Sequence, residues 1–328
     1  MIYEKQFHYL KKTVCAVKLV IQIPCYNEEN TLEETIASLP HHIDGIDEIE
    51  VLVIDDGSTD RSIEVAQNTG AKVLRLSRHL GLADAFASGV KAAIEHDADI
   101  LVNTDADLQY PSEHIERLIR PILEKKADIS VGDRLSHKPR PFSPVKMMFE
   151  HMGTAFVRSM SGVDIKDAAS GFRAFSKEAL ELMFIHGKFS YTLESLVLAG
   201  MRKLRVANVT IPINPPKRKS RLFSSMGHYI VQSVFSVIRA YLMYHPLKFF
   251  VSVGLLFLAA SAVIGFRFLL FYFLEGGAGH IQSLILLAIL AFFGVLSIIL
   301  GLVGDIIAAN RRILEELRHT VMKQSNGK

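Results

Sequence analysis

The sequence contains no tryptophan and only two cysteines, Cys15 and Cys25, among its 328 residues. Two cysteines are too few for a disulfide-stapled scaffold or for a zinc site with four cysteine ligands. There is also no Walker A pattern, and no GxGxxG follows the first predicted strand, so both common glycine-rich phosphate-binding loops are absent. If the protein binds a diphosphate, another group has to hold it, and a metal ion is the natural choice.

Acidic side chains are scarce in the last part of the chain. Residues 1–200 carry 22 Lys and Arg against 30 Asp and Glu, whereas residues 201–328 carry 15 against 4. The net charge of +3 therefore conceals an acidic first part and a basic second part. This balance excludes a disordered chain and a uniformly basic nucleic-acid binder, so no nucleic-acid partner is expected.

Two long apolar runs explain the mean hydropathy of +0.25, which is high for a soluble domain of this length. They cover residues 247–274 and 281–304, and each exceeds the roughly 20 residues that a helix needs to cross the hydrocarbon core. The short glycine-rich link between them predicts a transmembrane hairpin over residues 247–310. Two buried helices of a large soluble core are the less favoured alternative.

The distribution of Lys and Arg predicts the orientation of this hairpin. Basic residues flank both spans, whereas the link between the spans has none. The positive-inside rule then places both termini in the cytoplasm of a protein integral to the cytoplasmic membrane or its equivalent. The expected segments are a cytoplasmic domain over 1–216, a basic loop and interfacial amphipathic helix over 217–246, the hairpin, and a basic tail over 311–328.

Predicted strands and helices alternate along the first domain, which indicates an α/β fold with a Rossmann-like, mainly parallel sheet. The strands are expected at Val17–Ile23, Glu50–Ile54, Lys72–Leu76, Ile100–Asn103 and Asp128–Val131. Polar clusters follow the first, second and fourth of them. Ligands of such sheets bind beyond the carboxyl ends of the strands, so we expect these clusters to face one crevice.

Two carboxylates, Asp105 and Asp107, stand two residues apart directly after the apolar fourth strand. Burying such charges is costly without compensation, and hard oxygen ligands favour Mg²⁺ or Mn²⁺. Gln109 could supply a further oxygen or orient a bound phosphate. The same pattern is common on solvated loops, so both interpretations stay open on the pattern alone.

A second acidic pair, Asp55 and Asp56, follows the second predicted strand. This segment is typical of a turn in which Ser58 or Thr59 caps the next helix. Because a cap needs only one acceptor, the paired aspartates remain unexplained. A carboxylate here could accept hydrogen bonds from a base N–H or a ribose hydroxyl.

Five segments then occur in the order of a known family. They are Ile23–Glu29 (IPCYNEE), Val53–Asp60 (VIDDGSTD), Asp105–Gln109 (DADLQ), Gly132–Arg134 (GDR) and Asp167–Arg173 (DAASGFR). Together with the hairpin they resemble the family 2 glycosyltransferases of the GT-A fold, and among these the polyprenyl-phosphate glycosyltransferases, the group of dolichyl-phosphate mannose synthase. The resemblance covers roughly residues 17–230. It implies metal-dependent, inverting transfer of a hexose-type sugar from a UDP- or GDP-linked donor to polyprenyl or dolichyl phosphate.

The resemblance also implies roles for individual residues. The nucleotide pocket would contain Pro24, Tyr26, Glu28, Asp55, Asp56, Asp105 and Ala106. The ligands of Mg²⁺ or Mn²⁺ would be Asp105, Asp107 and Gln109. The diphosphate and the acceptor phosphate would be bound by Arg134, Lys146, Arg218 and Arg221. The residues that carry catalysis would be Asp107, Arg134 and Lys146.

The sequence departs from the family pattern at three positions. Lys146 stands where an arginine is more usual, and Glu150 stands where a serine is common. His79 occupies the place of an asparagine that precedes the glycine of the third-strand loop. The roles of His79 and Glu150 therefore stay open.

Three other functions match part of the pattern. A processive polysaccharide synthase is disfavoured, because those enzymes resemble one another in a Gln-x-x-Arg-Trp motif that a chain without tryptophan cannot contain. A nucleotide-sugar-binding pseudoenzyme or membrane scaffold would have lost metal or phosphate ligands, which are present here. A glycosyltransferase with a protein or soluble sugar acceptor would need a carboxylate base, for which Glu194 is the candidate.

Membrane lipid is the last expected partner. The basic run at 217–221 suits an anionic membrane surface, and Leu222–His245 has the pattern of an interfacial amphipathic helix. Pro144–Ser161 fits either a second interfacial helix or a core helix. Glycines in both spans would permit close helix contacts, so a homo-oligomer stays open.

Overall fold

The computed structural model describes residues 16–137, 144–183, 191–214, 245–275 and 281–326, together with positions 231, 234, 235, 238, 239, 241 and 242. The chain divides into two units, Met1–Ser236 and Val237–Lys328. The four-segment division predicted from the sequence stays a prediction. Most of its basic loop and interfacial helix lies outside the described residues.

The first unit is organised around a seven-stranded sheet. Its strands are β1 (Lys18–Cys25), β2 (Glu48–Asp55), β3 (Lys72–Arg75), β4 (Ile100–Asn103), β5 (Ile129–Asp133), β6 (Arg173–Ser176) and β7 (Val206–Thr210). Their order across the sheet is β3-β2-β1-β4-β6-β5-β7. Strands β1 to β4 are parallel, whereas β6 is antiparallel to both of its neighbours. The predicted α/β fold is confirmed as a mixed sheet.

Helices cover the sheet and alternate with the first five strands. They are α1 (Leu32–Ala37), α2 (Ser62–Asn68), α3 (Leu82–Glu95), α4 (Ile115–Leu123), α5 (Pro144–Ser161), α6 (Lys177–Leu182) and α7 (Tyr191–Met201). Helix α3 lies very close to β1: a Cβ added at Gly89 would collide with Oε1 of Gln22. The small side chains of this Ala- and Gly-rich helix permit the approach.

The register of the central strands places their carboxyl ends side by side. Cys25 at the end of β1 is paired with Asp55 at the end of β2, and Gln22 is paired with Asn103 at the end of β4. All four residues of β4 and the last seven of β1 are buried, since they are apolar or hydrogen-bonded within the core. The polar segments that follow these strands therefore emerge at one edge of the sheet, as the sequence predicts.

The second unit contains two long helices, α8 (Pro246–Glu275) and α9 (Ile281–Asn326). The segments Pro246–Leu274 and Ile281–Arg311 have mean hydropathies of 2.4 and 2.9 and are long and apolar enough to cross a membrane. Large apolar side chains such as Leu256 and Phe273 are 71% and 80% exposed. Such exposure suits lipid rather than water, so these helices suggest membrane anchoring. The orientation stays a prediction.

Glycines bring α8 and α9 together in one hairpin. A Cβ on Gly254 would stand 2.7 Å from the carbonyl oxygen of Gly294, and one on Gly301 would stand 3.0 Å from Cβ of Phe250. The hydroxyl of Ser261 donates to the carbonyl of Leu287 at 3.0 Å. Small residues that let helix backbones approach are typical of membrane helix pairs. The homo-oligomer suggested by these glycines stays a prediction.

Gly254→Ala tests this contact. The added methyl group meets backbone, which cannot rotate away, so we expect the hairpin to lose about 1–3 kcal/mol of stability. Thermal unfolding of the full chain in detergent, followed by circular dichroism, measures the loss. Ala260→Leu is the matched control, because Ala260 is an exposed position on the same helix. Equal stability of Gly254→Ala and Ala260→Leu would contradict the close contact.

Candidate active site

The loops after β1 and β2 are joined by hydrogen bonds. Asn27, with a φ of 55°, donates its N–H to the hydroxyl of Ser58 at 2.9 Å and accepts the N–H of Thr59 on its side-chain oxygen at 2.8 Å. The expectation that Ser58 or Thr59 caps the next helix is wrong. Both side chains join this loop pair instead, and the N–H of Ser62 at the start of α2 donates to Asp60 at 3.0 Å.

The two aspartates after β2 have different environments. Asp55 is buried and accepts the N–H of Ser58 at 3.2 Å, so it holds its own turn. Asp56 reaches across to the loop after β3, where its Oδ1 accepts the N–H of Leu80 at 2.7 Å and its Oδ2 accepts the N–H of Gly81 at 2.8 Å. These bonds fix the Asp56 carboxylate at the predicted nucleotide pocket.

His79 joins Asp56 to Tyr26. Its Nδ1 lies 2.9 Å from Oδ2 of Asp56, and its ring stacks on Tyr26 with centroids 4.0 Å apart and planes 25° apart. The Tyr26 side chain is 37% exposed, so the stack is partly accessible to a ligand. Sequence reasoning left His79 without a role. His79 and Asp56 are far apart in the sequence, so their contact could not be predicted from it and arises only in the folded chain.

The Asp105 carboxylate carries an uncompensated charge in the folded chain. Burial, together with the negative charges of Asp107 and Glu28, raises the pKa of Asp105 to about 7, although the charge of Arg134 opposes this rise. Within the described residues no hydrogen bond or ion pair reaches its oxygens. Gly171 leaves room beside it, since a Cβ there would stand 3.4 Å from Oδ1 of Asp105 and 2.8 Å from the Tyr191 hydroxyl.

The neighbouring Asp107 is held by its own loop. Its Oδ1 accepts the N–H of Gln109 at 3.1 Å, and its Oδ2 accepts the Gln109 side-chain amide at 2.6 Å. Asn214 ties the loop down by donating to the carbonyls of Leu108 and Gln109. The amide nitrogen of Gln109 thus orients Asp107, and its amide oxygen is the atom left for a ligand.

The chemistry of these donors fits a divalent cation. Among the residues that the structure describes, no group of three or more His, Cys, Asp or Glu side chains could hold a metal by itself. Mg²⁺ is usually bound through one or two carboxylates together with substrate phosphates and water. Asp105 supplies a partly buried carboxylate without a hydrogen bond or ion pair to the described residues, and Asp107 supplies a second one close enough to repel it.

Arg134, directly after β5, forms the cationic side of the site. Its Nε donates to Oδ2 of Asp167 at 2.7 Å and its Nη2 to Oδ1 at 2.9 Å, a bidentate pair with the Asp167 side chain fully buried. Burial alone would lower the pKa of Arg134, but Asp167, with smaller effects of Tyr110 and Glu150, raises it above its ordinary value. The guanidinium is therefore permanently charged and fixed in orientation.

Helix α5 brings Lys146 and Glu150 to the same place. The helix buries Met147, Glu150, Thr154 and Val157 on one face. Burial lowers the pKa of Lys146, and Arg134 lowers it further, whereas Glu150 opposes these effects. Burial likewise raises the pKa of Glu150, against the charges of Arg134 and Lys146. The two predicted phosphate contacts Arg134 and Lys146 therefore lie within electrostatic reach of each other.

Three of the remaining predicted site residues lie within the described part of the chain, and two lie outside it. Pro24 is buried within β1, and the carbonyl of Ala106 accepts the hydroxyl of Thr35 at 3.0 Å. Glu28 accepts the hydroxyl of Thr31 at 3.3 Å and raises the pKa of Asp105, so it lies near the paired carboxylates. Arg218 and Arg221 lie outside the described residues, and their roles stay predictions.

Arg173 is a supporting residue that sequence reasoning did not identify. Its side chain is fully buried, and its guanidinium donates to the carbonyls of Ala168, Ser170 and Thr192 at 2.6–2.8 Å. Burial lowers its pKa to about 10. These bonds hold the segment that carries Asp167 and Gly171. The sequence motif Asp167–Arg173 ends in this arginine and could have drawn attention to it. The carbonyls that its guanidinium binds, however, are brought to it only by the fold.

The alternating strands and helices and the mixed seven-stranded sheet form an α/β fold of the GT-A-like class, with paired carboxylates and a fixed arginine at one edge of the sheet. Residues 20–184 match the family model Glycosyl transferase family 2, and the chain belongs to this family. It is therefore a glycosyltransferase.

Curated relatives include two archaeal enzymes. The chain is 34% identical over 212 residues to the dolichol-phosphate mannosyltransferase of Pyrococcus furiosus, and the aligned region covers 57% of each protein. It is 28% identical over 212 residues to the UDP-N-acetylglucosamine–dolichyl-phosphate N-acetylglucosaminyltransferase of Methanococcus voltae, covering 58% of this chain and 82% of that one. The two relatives carry the names of different sugars.

Solved structures share the fold. Glucosyl-3-phosphoglycerate synthase of Mycobacterium tuberculosis, in complex with Mn²⁺, UDP-glucose and phosphoglyceric acid, superposes with a TM-score of 0.55. It is 21% identical and covers 69% of this chain and 80% of its own. The same synthase has also been solved with Mg²⁺ and UDP. At this identity the likeness shows the fold alone.

Asp105→Asn tests the uncompensated charge. The folded state raises the pKa of Asp105 from an ordinary value near 4 to about 7, so the carboxyl destabilises the fold increasingly as pH rises through that window. We expect the variant, without added metal, to be about 1–3 kcal/mol more stable than the unchanged chain at pH 8 and no more stable at pH 4. Thermal melts at both pH values measure the difference.

The same melts, repeated with Mn²⁺ and UDP or GDP, complete this test. The unchanged chain should melt at a higher temperature with these ligands, whereas Asp105→Asn should lose that gain. Asp44→Asn, at an exposed carboxylate, is the control and should change stability by less than about 0.5 kcal/mol. A destabilised Asp105→Asn variant at pH 8 would contradict the interpretation.

Proposed function

We propose that this glycosyltransferase moves a hexose-type sugar from a UDP- or GDP-linked donor to a polyprenyl or dolichyl phosphate, with inversion at the anomeric carbon. The observation that carries the proposal is the meeting of two oppositely charged groups at one sheet edge. Asp105 and Asp107 stand on one side, and Arg134 and Lys146 stand on the other. The charge of Arg134 reaches Asp105, so both groups act on one small volume.

The donor nucleotide is proposed to bind at the carboxyl ends of β1 and β2. The partly exposed Tyr26–His79 stack suits a flat base, and the nearby Asp56 is held by the amides of Leu80 and Gly81. The Asp56 carboxylate can accept a ring N–H or a ribose hydroxyl. The donor sugar would then extend toward Asp105.

Asp105, Asp107 and the amide oxygen of Gln109 would hold Mg²⁺ or Mn²⁺ beside the diphosphate. The cation, when bound, would neutralise the negative charge that develops on the leaving diphosphate. The chain's own contribution is to hold these oxygens in place. The loop bonds of Gln109 and Asn214 keep Asp107 oriented before any ligand arrives.

A lipid phosphate suits the cationic side of the site. Its oxygens are anionic at pH 7, so it attacks the anomeric carbon without a general base. Arg134 would bind and orient these oxygens, and Lys146 would offset their repulsion of the donor diphosphate. The bidentate bonds to Asp167 hold the Arg134 guanidinium ready for this contact.

Several features of the chain suit an acceptor that stays in a membrane. The two apolar helices would anchor the enzyme, with the catalytic domain and both termini in the cytoplasm. Helix α5 carries Lys146 and also exposes Val145, Met148 and Met152, which are more than half exposed. We propose that this apolar face meets lipid while the opposite face of the helix supports the phosphate site.

Transfer itself is tested with the purified full chain. We expect a lipid-linked sugar when polyprenyl phosphate, Mn²⁺ and the correct member of a panel of nucleotide sugars are supplied, detected by the mass of the lipid product. Asp107→Ala should fold normally, as judged by its melting curve, and lose at least about 100-fold in rate. Full activity of Asp107→Ala would contradict the assigned site.

Two other outcomes would replace the proposal. If the chain binds nucleotide sugars but transfers to no acceptor, it is a pseudoenzyme or membrane scaffold. If it transfers sugar equally well to a protein or soluble sugar without any polyprenyl phosphate, the acceptor is not a lipid. Substitution of Glu194 by Gln would then test for a carboxylate base.

The anomeric configuration of the product tests the direct displacement. Attack by the acceptor phosphate on an α-linked donor should give a β-linked lipid phosphosugar. The coupling constant of the anomeric proton in the purified product reports the configuration. A product with the donor's own configuration would exclude a single displacement.

A further inference from the structure

Helix α9 continues well beyond the segment that is long and apolar enough to cross a membrane. That segment ends at Arg311, whereas the helix runs on to Asn326. No proline or glycine follows Gly304 within the helix, so the residues that usually kink a helix are missing there. At about 1.5 Å per residue the extension adds roughly 20 Å. It therefore keeps the direction of the membrane-spanning part and projects into water, away from the lipid.

Apolar side chains are exposed on this extension. Ile313, Leu314 and Leu317 lie beyond the apolar segment, and each is more than half exposed. Helix α8 does not reach them. It begins at Pro246, which lies beside Gly304, because a Cβ on that glycine would stand 2.8 Å from Cβ of the proline. Neighbouring apolar side chains in water mark a surface that binds another molecule.

These side chains belong to a longer stripe with the spacing of a coiled coil. Val303, Ile307, Asn310, Leu314 and Leu317 follow one another at alternate intervals of four and three residues, and all five are exposed. A repeat of 3.5 residues places them along one line of the helix, which is the pattern by which two parallel helices pack together. We call these five residues the α9 stripe.

The α9 stripe lies on the side of the helix opposite α8. Gly301 contacts α8, since a Cβ there would stand 3.0 Å from Cβ of Phe250, and Ala308, seven residues further on, is buried. At about 100° per residue, the members of the stripe lie roughly 160–240° round the helix from Gly301. Helix α9 can therefore pack on α8 and on a second partner at the same time.

A second copy of this chain fits the stripe because a membrane fixes how two copies meet. Both copies cross in the same direction, so their α9 helices emerge parallel and at the same depth. Equivalent residues then face each other, as in an in-register parallel coiled coil, with Asn310 opposite Asn310. A single asparagine in an apolar seam fixes the register and the number of strands at a cost in stability.

The part of the stripe outside the membrane is short, and two such helices would associate weakly if they were free in solution. Anchoring in one membrane raises the effective concentration of each copy and orients it in advance. Val303 and Ile307 also extend the contact into the apolar segment. The pairing therefore belongs to the full, membrane-anchored chain.

We propose that the α9 stripe binds the α9 stripe of a second copy, in a parallel and in-register pair of helices, so that the protein is a dimer. The stripe contains none of the residues assigned to the donor and acceptor. The proposal is thus independent of sugar transfer, and its failure would leave the proposed function standing.

Disulfide cross-linking of the full chain in lipid vesicles tests the pairing. Cys25 is buried, so in a Cys15→Ser background an introduced cysteine supplies the reactive thiol. We expect Leu317→Cys to form a covalent dimer on mild oxidation, because a disulfide requires Cα atoms within about 7 Å. Glu315→Cys is the matched control. It lies two residues earlier on the same helix, about 160° round it, and should cross-link at least about fivefold more slowly.

The mass of the purified full chain in detergent, measured by light scattering during size-exclusion chromatography, tests the same surface without cysteines. The unchanged chain should have the mass of a dimer. Leu314→Glu combined with Leu317→Glu should have the mass of a monomer at the same concentration, because like charges would meet in the seam. Both positions are exposed, so the double variant should keep the helix content of the unchanged chain in circular dichroism.

Three results would overturn the proposal. The first is an unchanged chain with the mass of a monomer. The second is a dimer that persists in the double glutamate variant, because another surface would then hold it. The third is equal cross-linking of Leu317→Cys and Glu315→Cys, which random collision would produce.

Discussion

The buried guanidinium of Arg173 connects the segments on which the candidate active site depends. It binds three carbonyls that belong to the segment before β6 and to the start of α7. That segment carries Asp167, which orients Arg134, and Gly171, which lies against Asp105. A buried cation is tolerated only when its donors are satisfied, so removing any of these carbonyl contacts would strain the whole arrangement. The acidic and basic sides of the site thus share one internal support.

The two sides of the site differ in how far their charges are compensated. Arg134 is paired with Asp167 in the folded chain, whereas Asp105 feels the repulsion of Asp107 and Glu28 and is opposed by Arg134 without an ion pair to it. The acidic side therefore gains from the arrival of a cation. On the cationic side Asp167 already forms a bidentate pair with Arg134, so an incoming anion would share the guanidinium with that carboxylate. Under the proposed function both substrates carry phosphate, and this asymmetry would give the two phosphate groups different binding requirements.

The local sequence was sufficient to predict the first half of the sheet and the position of the acidic motifs at its edge. Apolar runs such as Ile100–Asn103 end in polar clusters, and parallel strands bring such clusters to one edge. Strands β6 and β7 were not predicted from the sequence. The β6 sequence Arg-Ala-Phe-Ser has no apolar run, and neither does β7, which is a half-buried edge strand. The contacts of His79 with Asp56 and of Arg173 with Thr192 join residues about 20 positions apart through the fold. Such contacts leave no periodic signal in the chain.

The amides of Leu80 and Gly81 have a consequence for the choice of nucleotide. They occupy one lone pair on each Asp56 oxygen, and His79 takes a second on Oδ2, so Oδ1 keeps one acceptor position for a ligand. Uracil and guanine present a ring N–H to such an oxygen, whereas the matching ring nitrogen of cytosine and adenine has no hydrogen and only their amino groups can donate. If Asp56 binds the ring N–H of the donor base, CDP- and ADP-linked sugars are disfavoured by repulsion at that nitrogen rather than by size.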